Sequence, residues 1–294
     1  MDIFRTDGSS RPQPTEAGSA GTPKLVIADE AGLSEMTIGT GVASEVKMLI
    51  NAPPDERSAD ISPAIDQSTG RVVFSRTTAE TVDLYLLEGK GLDPQRLTQT
   101  PEIRETGATW HPAGREVAFE STDALGRTSV QSLDISSGEQ MQMSRKGLIA
   151  FNPVWRNSGD SLIYAGRDRA SGETDLYEVT RTGDESTAVA TPGQDEFSPA
   201  ISPFDGSLLY LAREHKSEAL PSEQVTRLYV EGAQVTGLPS ANYIAAAWIA
   251  RDTVGLVKMT EPGKIYAFQL GGTPDLQVIY EGRGVASFDV TMED

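Results

Sequence analysis

Hydrophobic and polar positions alternate in short runs along most of this chain of 294 residues, and a tight turn separates many neighbouring runs. In GATWHPAGREVAF, residues 107–119, one run ends at Trp110, small residues follow at Ala113 and Gly114, and a second run ends at Phe119. Alternation is typical of a strand with one buried face. Glycine supplies the positive φ that a tight hairpin turn needs. The segment is therefore predicted to be a β-hairpin.

The same hairpin recurs along the chain, and in each copy two apolar anchors lie nine residues apart. The anchor pairs are Ile65 and Phe74, Trp110 and Phe119, Trp155 and Tyr164, Ile201 and Tyr210, and Trp248 and Val257. The first anchors of successive copies are 45, 45, 46 and 47 residues apart. A third short strand such as Asp83-Leu84-Tyr85-Leu86 and then a fourth follow the hairpin. Four short strands at this period are typical of a β-propeller blade.

The ends of the chain supply one further copy. Phe288 lies 40 residues after Trp248 and fits the first strand of a blade, and its partners are found at 24–27, 36–38 and 47–50. A blade built from both ends would remove the exposed edges of an open array. We therefore predict an all-β fold, a six-bladed propeller of four-stranded antiparallel blades that is closed by a blade shared between the N- and C-termini. A seven-bladed ring that uses residues 2–20 is the alternative.

Composition divides the chain into two parts. Residues 1–23 are rich in Gly, Ser, Pro and Thr and have almost no apolar pattern, so they bury too little surface to offset the entropy of ordering. We expect a flexible tail or linker over 1–23 and a propeller domain over 24–294.

The repeat resembles that of TolB-type propellers. Its pattern is Ser/Asn-Pro-x-Ile/Trp, a turn of Pro, Asp or Gly, and a hydrophobic strand that ends in Phe/Tyr-x-x-Arg. DISPAIDQSTGRVVFSR, GATWHPAGREVAF and FSPAISPFDGSLLYLAR are its clearest copies, and the resemblance covers about residues 45–290. It implies the propeller fold and, since TolB itself is periplasmic, a periplasmic or extracellular location. It assigns no catalytic residue.

Charge and cysteine content exclude several classes of function. The formal charge of −18 opposes binding to nucleic acid. No run of 18 apolar residues occurs, so no membrane insertion is predicted. The absence of cysteine excludes disulfides, thiolate metal sites and a cysteine nucleophile, and it is compatible with an oxidising compartment.

Few residues carry obvious chemistry. His111 is expected in a turn with a structural role, and His215 in a long charged loop. We find no nucleophile elbow and no phosphate-binding loop, so no catalytic residue, metal or cofactor is predicted. Calcium would need oxygen ligands only, and DRASGETD at 168–175 is the nearest approach to such a loop. Trp110, Trp155 and Trp248 recur at one position of the repeat, which favours packing between blades over a carbohydrate platform.

These observations favour a non-catalytic binding or scaffold propeller whose ligand is a protein, a peptide or an anionic glycan. One alternative is a lyase or glycosidase that uses carboxylates and arginines at the channel mouth. Another is a sensor domain that belongs to a longer chain.

Charge is distributed unequally between the two ends of the predicted strands. Loops between second and third strands hold eight Lys/Arg and nine Asp/Glu, whereas loops between third and fourth strands hold three and nine. The guanidinium group of arginine forms paired hydrogen bonds with carboxylate, sulfate or phosphate groups. The loops between second and third strands are therefore predicted to bind an acidic peptide or an anionic glycan. The predicted rim consists of Arg76, Arg167, Asp168, Arg169, Arg213, His215 and Lys216.

Overall fold

The structure is a computed structural model that describes residues 22–38, 46–55, 58–189, 191–215, 224–284 and 287–293. Within these ranges the regular structure is β-strand throughout, as the alternating pattern predicts. No helix in the described part of the chain is long and apolar enough to cross a membrane. The first 21 residues of the predicted tail lie outside the described residues, and the first strand begins at Thr22.

One sheet combines both ends of the chain, as predicted. Its strand order is β24-β1-β2-β3, and β24 pairs antiparallel with β1 from Thr22–Glu293 to Ala28–Ser287. The strands are β1 (Thr22–Asp29), β2 (Gly32–Thr37), β3 (Lys47–Asn51) and β24 (Ser287–Glu293).

Three further four-stranded antiparallel sheets follow the order of the chain. The first contains β12 (Ile149–Trp155), β13 (Ser161–Arg167), β14 (Thr174–Thr180) and β15 (Glu185–Val189). The second contains β16 (Gln194–Ile201), β17 (Leu208–Glu214), β18 (Arg227–Val230) and β19 (Ala233–Gln234). The third contains β20 (Tyr243–Ala250), β21 (Thr253–Lys258), β22 (Glu261–Gln269) and β23 (Gln277–Glu281).

The expectation of six separate blades needs correction, because the described residues form four separate four-stranded sheets and one eight-stranded sheet. The larger sheet contains two antiparallel groups of four strands. A single parallel bridge between Val82 and Arg104 joins them, since the third strand of one group starts beside the first strand of the next. The strands are β4 (Ala59–Ile65), β5 (Val72–Thr77), β6 (Val82–Leu87), β7 (Gln95–Arg96), β8 (Arg104–Trp110), β9 (Glu116–Thr122), β10 (Thr128–Asp134) and β11 (Gln140–Gln142).

The first strands of the repeats, which we call the inner strands, surround a central axis. They are β4, β8, β12, β16, β20 and β24, and each contacts the next around the ring, with β24 in contact with both β20 and β4. Contacts between consecutive inner strands therefore close the ring.

Second strands are buried on both faces, because each packs between two neighbouring groups of strands. In β13, Leu162 and Tyr164 pack with Ala118 of the preceding group. Ile163 packs on the other side, in one cluster with Tyr210 of the following group. This double burial explains why second strands such as SLIYAGR are apolar at almost every position.

The tryptophans at the ends of inner strands are buried, as predicted, and fill the spaces between consecutive groups. Trp155 is 3% exposed and belongs to a cluster with Ala118 and Val130 of the preceding repeat. Trp248 clusters in the same way with Leu209 and Leu211.

Each Ser/Asn-Pro motif forms a β-bulge in an inner strand. The pairing register shifts between Ile61 and Ala64 in β4, and at the equivalent places in β8, β12 and β16. The residue that adopts positive φ is Ser62, Gly107, Asn152 or Ser198. Proline cannot donate to a ladder and is tolerated at such a bulge, which accommodates Pro63, Pro153 and Pro199, whereas β8 has Ala108 at this position.

Candidate functional site

The inner strands enclose a cavity of about 580 Å³ on the central axis. This volume is within the range of small-molecule and side-chain pockets, roughly 300–1,000 Å³. The wall extends from the bulges to the turns that connect first and second strands. Ile65, Ile201, Ile244 and Val290 supply much of its apolar surface, and Asp66, His111 and Asp289 are its titratable residues.

Asp66 lies at the cavity mouth in the turn after β4, and its carboxylate is fully engaged by its own turn. It accepts hydrogen bonds from the hydroxyls of Ser68 and Thr69 and forms a 2.8 Å ion pair with Arg71. Burial opposes its ionisation, but the hydrogen bonds from Thr69, Arg71 and Ser68 outweigh burial and lower the pKa of Asp66. Asp66 is therefore an ionised structural group.

His111 lies at the mouth in the turn after β8, where both ring nitrogens have partners. Nδ1 accepts the backbone N–H of Ala113 at 3.0 Å, so the proton of the neutral ring is on Nε2, which lies 3.1 Å from the carbonyl of Gly159. The ring also packs edge-on against Trp155 with centroids 4.7 Å apart. These contacts fix His111 as a bridge between two turns.

Asp289 lies on the cavity wall in β24. Its Oδ2 accepts the backbone N–H of Ile65 at 2.9 Å, and the nearby Ser287 Oγ accepts that of Ser62 at the same distance. Burial raises the pKa of Asp289 to about 6, although its hydrogen bonds with the backbone of Ile65 and Val290 act in the opposite direction. Asp289 as a whole residue is half-buried.

Polar side chains connect the bulges of consecutive repeats. Glu120 Oε1 accepts the backbone N–H of Asn152 at 2.9 Å. Asn152 Oδ1 accepts that of Ser198 at 3.3 Å, and Ser198 Oγ accepts that of Ala246 at 3.2 Å. Burial raises the pKa of Glu120. These contacts were not predicted from the sequence, although the Ser/Asn-Pro motif that recurs at the repeat period marks the positions of Asn152 and Ser198.

The described residues among those predicted to form a binding rim lie at the opposite end of the strands from the cavity mouth, and we call this end the arginine face. Asp60, at the start of β4, pairs with Arg76, whereas Asp66 follows the other end of the same strand. Of the predicted residues, Lys216 lies outside the described part of the chain.

Two of the arginines on this face are paired with buried carboxylates. Arg76 forms a bidentate ion pair with Asp60, with distances of 2.7 and 2.9 Å. The hydrogen bonds that Arg76 donates to Asp60 are the main cause that raises the pKa of Arg76. Arg213 Nε lies 3.7 Å from Asp195 Oδ2, and its guanidinium lies over Phe197. Both arginines therefore contribute to packing within their own hairpins.

The remaining predicted residues lie on two adjacent loops. His215 Nδ1 is 2.9 Å from Asp195 Oδ1, which also accepts the backbone N–H of Thr174 at 3.1 Å. Gly172 lies next to the ring of His215, since a Cβ built on Gly172 would be 3.5 Å from Cε1. The structure thus brings the loop after β13 close to the end of β17, while Arg76 pairs within a separate hairpin.

Within the loop after β13, Asp168 and the two arginines differ in their bonding. Asp168 accepts the backbone N–H groups of Ser171 and Ala170, which lower its pKa. Arg167 contacts Thr174 Oγ1 at 3.3 Å, and Arg169 is exposed. No set of three or more His, Cys, Asp or Glu suited to a metal ion occurs in the described ranges, this loop included.

Comparison with known proteins agrees with the fold. A family model described as the TolB beta propeller domain matches residues 44–243, which is more than half of the chain. A search of curated proteins finds no match.

Solved structures of similar shape are propellers of low sequence identity. A chain from a crystal structure of a nidogen/laminin complex has a TM-score of 0.71 at 10% identity, over 92% of this chain and 97% of that one. TolB from Acinetobacter baumannii has a TM-score of 0.66 at 12% identity, over 92% and 66%. A putative TolB from Agrobacterium tumefaciens has 0.54 at 12% identity, over 94% and 100%. At such identities the similarity concerns the fold alone.

The architecture is thus an all-β propeller of antiparallel four-stranded blades, and the bulged inner strands β4, β12 and β16 carry the Ser/Asn-Pro motif within the matched residues. The chain belongs to the TolB beta propeller domain family.

Proposed function

We propose that this protein is a non-catalytic binding propeller whose central cavity receives part of a partner polypeptide. The observation that carries the proposal is the state of the titratable groups at the cavity mouth. Asp66 is held ionised by Arg71 and its turn, and both nitrogens of His111 have structural partners. General acid–base catalysis needs a group that is free to exchange a proton with the substrate.

The carboxylate chemistry of a glycosidase or lyase receives less support. A general acid needs a raised pKa in order to hold its proton near neutral pH, whereas the pKa of Asp66 is lowered. Asp289 has a raised pKa, but its carboxylate supports the bulged strand β4 through Ile65. A protein partner is favoured over a glycan because one similar solved chain belongs to a nidogen/laminin complex.

The blade count and the location are parts of the same proposal. We interpret the eight-stranded sheet as two blades that share one bridge, which would give six blades around the cavity. A periplasmic or extracellular location is supported by family membership and by the absence of cysteine from the sequence.

The arginine face is proposed as a second contact surface, for acidic groups of the partner. Arg167 and Arg169 are its best candidates, since neither forms an ion pair within the described part of the chain. Arg76 and Arg213 already face Asp60 and Asp195 and would add little attraction for an anion.

Selection of a displayed peptide library against the immobilised protein tests the proposal. Thr109 lines the cavity, so the substitution Thr109→Trp places an indole in the space that a ligand would occupy. The control Val278→Trp adds the same indole on the outer strand β23, away from the cavity. We expect selected peptides to lose binding to Thr109→Trp and to retain it on Val278→Trp. Peptides unaffected by Thr109→Trp but lost with Arg167→Ala and Arg169→Ala together would move the site to the arginine face. Cleavage of bound peptides or glycans would contradict the non-catalytic assignment.

A further inference from the structure

The charges around the cavity are not balanced within the protein. No Lys or Arg of the described residues lines the wall. Asp66 at the mouth is neutralised by Arg71, but Asp289 has no ion pair among the residues that the structure describes. Lys24, a cation on the adjacent strand β1, pairs with Glu35 at 3.5 Å. The cavity therefore keeps one uncompensated carboxylate.

A second acidic side chain, Glu120, lies beside the cavity wall at the bulges. The Glu120 carboxylate lies close to the backbone of Gly107: a Cβ atom added to Gly107 would be 2.7 Å from Glu120 Oε1. Gly107 itself lines the cavity. Only backbone and side-chain donors of Asn152 and Thr106 contact this carboxylate within the described ranges. Carboxylates that are partly withdrawn from water attract a cation more strongly than carboxylates on the open surface.

The rest of the wall suits an alkyl chain. Ile65, Ile244 and Val290 belong to the lining, and the backbone of Ile65 contacts Asp289. A lysine side chain presents four methylenes and a terminal ammonium, so it can bury its stem on apolar surface while its charge meets a carboxylate.

We propose that the cavity binds the side-chain ammonium of a lysine from the partner polypeptide, with Asp289 as its counter-ion. This inference rests on the proposed function of the cavity as a ligand site. Lysine is favoured over arginine because backbone N–H groups already occupy part of the Asp289 carboxylate, and a guanidinium binds best to a carboxylate that offers two oxygens. Calcium is disfavoured, since it takes about six to eight oxygen ligands.

Burial disfavours the charged form of Asp289, and a bound ammonium would remove that cost. Binding should then depend on the charge of Asp289 and not on its hydrogen bond to Ile65. Asp289→Asn separates the two, because an asparagine oxygen can still accept that N–H. Asp93→Asn, in an exposed loop, is the matched control with the same change of charge.

The probe is the blocked peptide acetyl-Gly-Lys-Gly-amide, titrated into protein with ¹³C-labelled isoleucine methyl groups. We expect shifts of Ile65, Ile201 and Ile244 with a Kd of about millimolar order, as befits one side chain. Asp289→Asn should weaken binding about tenfold, the scale of a charge-assisted hydrogen bond, and Asp93→Asn should not. Peptides with Nε-acetyl-lysine or norleucine in place of lysine should bind the parent protein no more tightly than the lysine peptide binds the Asp289→Asn variant.

Four results would overturn the inference. They are equal binding of the acetylated analogue, unchanged binding by a folded Asp289→Asn protein, shifts produced by calcium chloride and not by the peptide, and no shifts with the lysine peptide. The proposed function fails separately, if no library peptide depends on the cavity. Library peptides that require the cavity but contain no lysine would retain the function and exclude this chemistry. Thermal melting of each variant establishes that it is folded.

Discussion

The arginine face and the cavity wall show opposite relations between the charges in the sequence and the charges available to a ligand. The arginine face has several basic residues, but Arg76 forms an ion pair with Asp60, and Arg213 lies 3.7 Å from Asp195. These carboxylates offset much of the positive charge of the two arginines. The cavity wall has few charged residues, yet Asp289 has no ion pair among the described residues. The charge that a surface offers to a partner is thus set by pairing and not by the number of ionisable residues in its loops.

The two regions also differ in what their polar groups hold together. On the arginine face, the pair of Asp60 and Arg76 joins the two strands of one hairpin. Around the cavity, Glu120, Asn152 and Ser198 join consecutive repeats through their bulges. Changes on the arginine face should therefore have local effects, whereas changes at the cavity wall should alter the contacts that hold the ring together.

The largest expected effect tests whether the cavity wall is structural. Trp155→Ala removes a buried indole that packs on Ala118 and Val130, and it should lower the free energy of unfolding by about 3–5 kcal/mol. Denaturant unfolding measures the loss. Leu125→Ala is the control, since Leu125 is 77% exposed and its removal should change stability by less than about 0.5 kcal/mol. Unchanged stability with loss of ligand binding would make Trp155 a ligand-contacting residue.

Much of this architecture could be predicted from the sequence, because the repeat is local and periodic. The interval of nine residues between anchors follows from a hairpin, and the period near 45 follows from four strands. The pairing of Arg76 with Asp60 was not predictable from the turn alone, because the register next to the turn would place Asp60 opposite Thr77, and the bulge between Ile61 and Ala64 shifts it by one residue. The bridge between Val82 and Arg104 was not predictable either, because it depends on the distance between neighbouring groups of strands. The same applies to Asp289, whose lack of a cation depends on all the strands around it.

A smaller effect tests the difference between paired and unpaired arginines. Arg76→Met keeps an apolar stem over Phe74 and Tyr85 but leaves Asp60, which is 2% exposed, without its ion pair. We expect a loss of about 2–3 kcal/mol, below the usual cost of breaking a fully buried pair because Arg76 is partly exposed. Arg167→Met has no such partner to lose and should cost less than about 0.5 kcal/mol. Equal losses in denaturant unfolding would show that pairing does not distinguish the two arginines.

The last effect depends on pH and concerns two adjacent acids on the arginine face. Asp195 has Arg213 and His215 as partners, whereas Glu196 is fully buried and its Oε2 has no hydrogen-bond partner in the described structure. Burial raises the pKa of Glu196 to about 7, and the charge of Asp175 contributes in the same direction. Between about pH 4.5 and pH 7 the unfolded chain loses this proton while the folded chain keeps it. Rising pH therefore favours unfolding through Glu196.

Glu196→Gln removes this dependence and keeps an oxygen for the backbone N–H of Thr191. The variant should gain stability relative to the parent by about 3 kcal/mol between pH 4.5 and pH 8. Glu178→Gln should show the opposite sign at lower pH, because the hydrogen bond with Arg156 lowers the pKa of Glu178, so the parent gains stability as pH rises towards about 4.5 and the glutamine variant does not. Urea unfolding at several pH values measures both differences. If Glu196→Gln follows the pH dependence of the parent, Glu196 is ionised at no cost in the folded protein, and the contrast between the paired Asp195 and the unpaired Glu196 is wrong.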